Sequence, residues 1–132
     1  MTDPDRTQDP QPLDTVHHWA LLAAAAADAK KASDIVIFDV GQVLAITDTF
    51  VIVSAPTDRL VRAIAEEVEQ VLKDAGGPGP LQVEGMRQGD WVLLDYGDFV
   101  IHVFRDEIRR FYDLERLWAD APRVPLPSAS RA

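Results

Sequence analysis

Asp95 and Asp98 flank Tyr96-Gly97 in a short polar break between two apolar runs. Two carboxylates gathered at a turn can hold magnesium for phosphoryl or nucleotidyl transfer. Asp39 and Asp48 are further acids that could join them in space. Such chemistry also needs a basic cradle for phosphate, and none accompanies these residues. The competing reading is that Asp95 and Asp98 shape the turn by accepting backbone N–H bonds, and the missing cradle favours it. His17 and His18 lie near an acid, but no further ligands stand close to them in the chain. His102 falls inside an apolar run with no nucleophile to serve, so a buried, hydrogen-bonded imidazole is the better reading than a catalytic base. Ser54 sits in Val53-Ser54-Ala55-Pro56, without the glycines of a nucleophile elbow. Neither glycine-rich phosphate-loop pattern occurs, and Gly76-Gly77-Pro78-Gly79-Pro80 reads as a connector after a helix. With no cysteine, disulfides, thiolate metal sites and cysteine nucleophiles are excluded. No cofactor and no metal are therefore expected.

Composition points the same way. The chain has 132 residues, 47% of them apolar, which suits one domain with a real core. Its formal net charge is −9, and residues 15–119 alone carry −7. Nucleic-acid affinity comes largely from basic side chains that displace counterions, so a phosphate backbone is not the expected main partner. A compact acidic body suits a basic protein partner, or simply solubility. No apolar run reaches the roughly 18 residues of a membrane span, and the first residues are polar and acidic. A cytosolic protein with no membrane contact is expected.

The elements that must position these residues follow from spacing. Residues 1–13, rich in Pro, Asp and Gln, read as a disordered arm. Asp14 or Thr15 can cap a helix to about Ala32, broadly apolar through Trp19, Leu22 and a run of alanines. Residues 34–40 and 50–54 read as strands, and Thr57 or Asp58 caps the longest helix, 58–75. Residues 81–84 make a short strand near an edge. Trp91–Tyr96 and Phe99–Phe104 form a hairpin about Gly97, with Trp91, Leu93 and Asp95 sharing one face. Asp106 and Asp113 can cap two short helices, and residues 122–132 read as a flexible tail. The order α-β-β-α-β-β-β-α-α predicts one α/β (α+β) domain at 14–121, a mixed sheet with helices packed on it. On a covered sheet face Trp91 is core; on an open face it is an interface anchor.

The hairpin Gly89-Asp90-Trp91-Val92-Leu93-Leu94-Asp95-Tyr96-Gly97-Asp98-Phe99-Val100-Ile101-His102-Val103-Phe104 closely resembles the ribosomal silencing factor, or Iojap-like, family. The likeness continues through Arg109-Arg110-Phe111-Tyr112-Asp113-Leu114-Glu115-Arg116-Leu117-Trp118-Ala119-Asp120-Ala121. It includes Val83-Glu84-Gly85, Asp34 to Val40, and Ile46-Thr47-Asp48, and so covers about residues 15–121. The resemblance implies a nucleotidyltransferase-like fold without catalysis. It implies docking on the large ribosomal subunit through ribosomal protein L-fourteen. There the protein blocks joining of the small subunit and lowers translation when nutrients are short. It also implies a homodimer when free. Carried over by position, Trp91, Asp95, Tyr96 and Asp98 would belong to the binding region, with Tyr112 and nearby arginines such as Arg109 as further candidates. One departure is Ser54-Ala55-Pro56-Thr57-Asp58, where many relatives carry a Gly-Thr-Ser-like turn. A Gly-Ser turn helps active nucleotidyltransferases grip phosphate, so this departure weakens the second reading, a metal-dependent nucleotidyltransferase-like enzyme using Asp95, Asp98 and Asp39.

Overall fold

A computed structural model describes residues 12–42, 44 and 47–126, with side chains from His17 onward. Most of the expected arm and residues 127–132 of the expected tail lie outside these residues. The elements are α1 (Pro12–Ala29), β1 (Ser33–Asp39), β2 (Thr49–Ala55), α2 (Asp58–Asp74), β3 (Gln82–Glu84), β4 (Trp91–Asp95), β5 (Phe99–Arg105), α3 (Asp106–Tyr112) and α4 (Leu114–Leu117). The expected element order and the single mixed sheet are both found. The strand order is β1-β2-β5-β4-β3, with β2 and β5 parallel and every other neighbouring pair antiparallel.

Two helices build the larger core. On α2, Val61, Ile64, Ala65, Val68 and Leu72 recur at helical spacing and are all buried. Thr57 is its cap, its Oγ1 accepting the Leu60 N–H at 3.1 Å. On α1 the buried residues are mostly alanines, whose small side chains let the helix pack closely. Both helices cover Ile37, Val51, Val53, Val92, Leu94, Ile101 and Val103, one face of the sheet. The opposite face carries a smaller core of Phe38, Val40, Ile52 and Phe104. The short α3–α4 segment packs over it through Ile108, Leu114 and Trp118, with Leu44 and Ala121 beside them. β5, second neighbour to both edges, is buried along Phe99–Phe104 because both its faces are covered at least in part.

The edges are managed differently. β3 is a three-residue edge strand with polar Gln82 and Glu84, too short to invite pairing. Along β1 the chain returns. Asp39 donates its N–H to the Pro122 carbonyl at 2.8 Å, and Val124 donates to Ile37 at 2.9 Å. The Arg123 guanidinium lies 5.3 Å from the Phe38 ring centre. Residues 122–126, read from sequence as tail, are therefore fastened to the sheet edge at Pro122 and Val124; their proline-rich composition hid two backbone bonds. The caps expected at Asp106 and Asp113 also differ. Arg105 precedes α3, Asp113 precedes α4, and neither makes a side-chain cap bond.

Candidate docking face

The site grows from the alternation of β4. Val92 and Leu94 point to the helices and are fully buried, whereas Trp91, Leu93 and Asp95 point to the thinly covered face and are half-buried. The cross-strand partner of Trp91 is Phe104, and that of Leu93 is His102. The loop before β4 presses on its backbone. Gly85 has φ +87, and a Cβ there would lie 2.0 Å from the Trp91 carbonyl oxygen, so only glycine fits. Asp90 is pinned as well: its Oδ1 accepts Arg105 Nε–H at 3.0 Å, and its carbonyl accepts the Arg105 N–H at 2.8 Å.

Trp91 is fixed from below and from the side. Its indole N–H donates to His102 Nδ1 at 3.1 Å. That bond makes Nδ1 the acceptor and leaves the proton of the neutral ring on Nε2. Burial lowers the His102 pKa from its ordinary 6.5 to about 4, so the ring is neutral near pH 7. The Trp91 ring lies 4.8 Å from Phe104 and 5.1 Å from Tyr112, centre to centre. Phe50 stands edge-on to both His102 and Trp118, at 4.9 and 5.4 Å. The result is an aromatic floor with Trp91 and Phe50 half-buried and a rim that is wet. Tyr112 is 54% exposed, Phe111 77% and Leu117 72%.

The six candidate residues separate into distinct places. Trp91 and Tyr112 are brought together on this face. Asp95 lies further along it, with Oδ1 accepting the Gly97 N–H at 2.8 Å, the turn-shaping role of its alternative reading. Asp98 is exposed at the tip of the hairpin, where its carbonyl accepts the Asp48 N–H at 2.8 Å. Tyr96 bonds to Phe99 across the turn, N–H to carbonyl at 3.0 Å, which puts Gly97 and Asp98 at its centre. Its side chain points the other way, into the helix-side core, stacked on Phe99 at 4.7 Å. Burial, with Glu69 adding to it, pushes the phenol up to about 12. As placed, Tyr96 cannot touch a partner on the Trp91 face. Arg109 points inward too. Its guanidinium grips both oxygens of Glu115 at 3.0 and 2.9 Å and holds that carboxyl below the usual range.

Of the acids named for an enzyme, Asp39 and Asp48 both lie against Gly41 and the Asp48 N–H donates to the Asp98 carbonyl, whereas Asp95 stands on β4, separated from β1 by two strands. Asp39 Oδ1 accepts the Gly41 N–H at 3.1 Å, on the far side of the sheet from Asp95 in strand order, and Ser54 Oγ accepts from Arg109 at 2.9 Å. Among the described residues, no three His, Asp or Glu side chains converge as a metal site requires. Leu93 was placed on the Trp91 face by alternation, but Phe50, Phe111 and Leu117 were not singled out as site residues. A signal was present for Phe111: it and Tyr112 are adjacent on a helix of seven residues, so both cannot face inward.

A small acidic α+β domain with a half-open aromatic sheet face is the class these observations define. A family model described as "Ribosomal silencing factor during starvation" matches residues 13–132. The ribosomal silencing factor RsfS of Bacillus subtilis (strain 168) is 41% identical over 105 residues, 80% of this chain and 88% of that protein. A crystal structure of a Chromobacterium violaceum protein superposes with a TM-score of 0.76 at 30% identity, covering 85% of this chain and 92% of that one. The mouse mitochondrial assembly of ribosomal large subunit protein 1 is 34% identical over 92 residues, 67% of this chain and 40% of its own length. The chain belongs to the ribosomal silencing factor family. The family match continues past Ala121, where the residue-level resemblance ended, through the stretch that pairs with β1. The bacterial relative is named for silencing ribosomes, not for a reaction. No described helix is long and apolar enough to cross a membrane.

Proposed function

We propose that this protein docks on the large ribosomal subunit through ribosomal protein L-fourteen and stops the small subunit from joining. Translation then falls when nutrients are short. The action is steric, in the cytoplasm, with no cofactor and no catalytic step. The observation that carries this reading is the face around Trp91: an aromatic floor, locked in place, on a body of charge −7. Trp and Tyr are the side chains that most often dominate interfaces, and ribosomal proteins are typically basic, so potential and shape agree. Asp95 along the face and Asp98 at its end supply the acidic rim. Contact with ribosomal RNA is secondary, because the body repels phosphate. A homodimer of the free chain would compete with docking if it used the same face.

Trp91→Ala tests this. Co-sedimentation with purified large subunits should weaken by at least about tenfold, the loss of an aromatic anchor of roughly 2 kcal/mol. Circular dichroism confirms that the variant is folded, and exposed Tyr112→Ala serves as the second probe. Parent-like co-sedimentation of both variants removes this face from the docking site.

A further inference from the structure

One side chain braces the corner between α3 and α4 from inside. Arg109 is only 7% exposed, the buried residue of α3. Besides its fork on Glu115, its Nη1–H reaches Ser54 Oγ at 2.9 Å and the Ser33 carbonyl at 3.4 Å. A single cation thus ties α4 to the start of β1 and the end of β2. Between Arg109 and Glu115 the chain reverses at Asp113, with φ 48 and ψ 50. A left-handed backbone is disfavoured for any residue with a side chain, even for Asp, which tolerates it better than most, so contacts around the corner help to hold it. The Asp113 N–H to Arg109 carbonyl bond at 2.8 Å closes the last turn, and the guanidinium–carboxylate fork spans the reversal. That corner carries Tyr112, 5.1 Å from Trp91, and leads directly to Trp118 against Phe50.

We infer that Arg109 and Glu115 form a positioning strut: they hold the α3–α4 corner so that Tyr112 and Trp118 are already seated beside Trp91 and Phe50 before a partner arrives. This rests on the docking-face reading proposed above. Arg109 acts without touching the partner, since its guanidinium is enclosed. A bidentate fork fixes direction as well as distance, which a single contact would not. Ordering the aromatic face in advance removes a cost that binding would otherwise carry. When the strut loosens, apparent affinity falls in proportion to the fraction of molecules still correctly arranged.

The full-length chain is compared as parent, Glu115→Gln, Arg109→Lys, Tyr112→Ala and the Glu115→Gln/Tyr112→Ala pair. Three quantities are read: affinity for purified large subunits, thermal midpoint and the ring-proton shifts of Tyr112. Glu115→Gln should bind about tenfold more weakly, corresponding to roughly one molecule in ten arranged correctly. Its Tyr112 signals should move toward free-tyrosine values. Arg109→Lys, which keeps the charge and loses the fork, should follow it. The double variant should lose clearly less than the product of the two single losses, because the strut works in large part through that ring. Losses that multiply in the double variant overturn the inference. So does parent-like binding by Glu115→Gln beside a weakened Tyr112→Ala, a result that leaves the docking face standing. Unfolding of both strut variants makes the pair a stability element and also overturns it. Parent-like binding by Tyr112→Ala brings down the docking-face reading and the strut with it.

Discussion

The two faces of one sheet meet different coverings. On the first, α1 and α2 lie over every strand they reach, and Ile64, Val68, Leu72, Val92, Leu94 and Ile101 have no exposed surface. On the second, a seven-residue and a four-residue helix cover the middle and leave Trp91, Leu93 and Phe50 partly open. Polar groups follow this division. The well-covered face holds little that needs a partner, whereas the thin one relies on the Trp91–His102 bond and the Arg109 fork to keep large side chains oriented. The difference teaches that one face is closed into a core while the other leaves large aromatic side chains oriented and open, as the proposed docking requires.

The comparison breaks first at the helix side. Ile64→Ala removes a fully buried branched side chain and should lower unfolding free energy in urea by about 2–5 kcal/mol. Subunit binding per folded molecule should stay at the parent level. A matching loss of affinity in the folded fraction would show that the two faces are not separable.

Next comes a pH test of the thin face. The His102 pKa is lowered on folding, so the unfolded chain takes up a proton first as pH falls. Stability from its neutral state is fully present above about pH 6.5 and is lost progressively down to about pH 4. The shift corresponds to an upper value of about 3 kcal/mol. Denaturation curves between pH 7 and 4 should show this slope, reduced in His102→Phe. Equal slopes in both proteins would remove His102 as its source. Glu115 acts lower on the scale: its carboxyl is held down by Arg109, so its contribution is full above the ordinary carboxylate value and is lost as pH falls from there through its lowered one.

The smallest effect sharpens the division. Tyr96 was a candidate for partner contact by resemblance, but its side chain is buried on the helix side, and its hydroxyl has no hydrogen-bond partner among the described residues. Tyr96→Phe should change stability by less than about 1 kcal/mol, in either direction, because an unpaired buried hydroxyl contributes little. Binding to large subunits should be unchanged. A clear drop in affinity would place Tyr96 in the contact after all.

Much of this protein was legible before any coordinates. The 3.6-residue spacing of Val61, Ile64, Ala65, Val68 and Leu72 defines α2, since a long amphipathic helix has one stable orientation. The alternation of β4, the turn at Gly97, the absence of phosphate loops and thiols, and the acidic charge are local or additive properties, and they survive folding unchanged. The turn-shaping role of Asp95 is likewise local, a carboxylate bonding a backbone two residues on. What the chain could not declare was which side each ambiguous residue would face. Tyr96 follows the alternation of β4 into the helix-side core, and only the family resemblance had grouped it with Trp91 in a binding region. Arg109 looked like a surface cation until Ser33, Ser54 and Glu115, 76, 55 and 6 residues away, enclosed it. The composition of residues 122–126 suggested a free end, and their pairing with β1 depends on a strand more than eighty residues earlier. Periodicity and charge are written in neighbours along the chain. Burial, pairing and the choice of face depend on distant segments meeting, and only the tertiary structure brings those together.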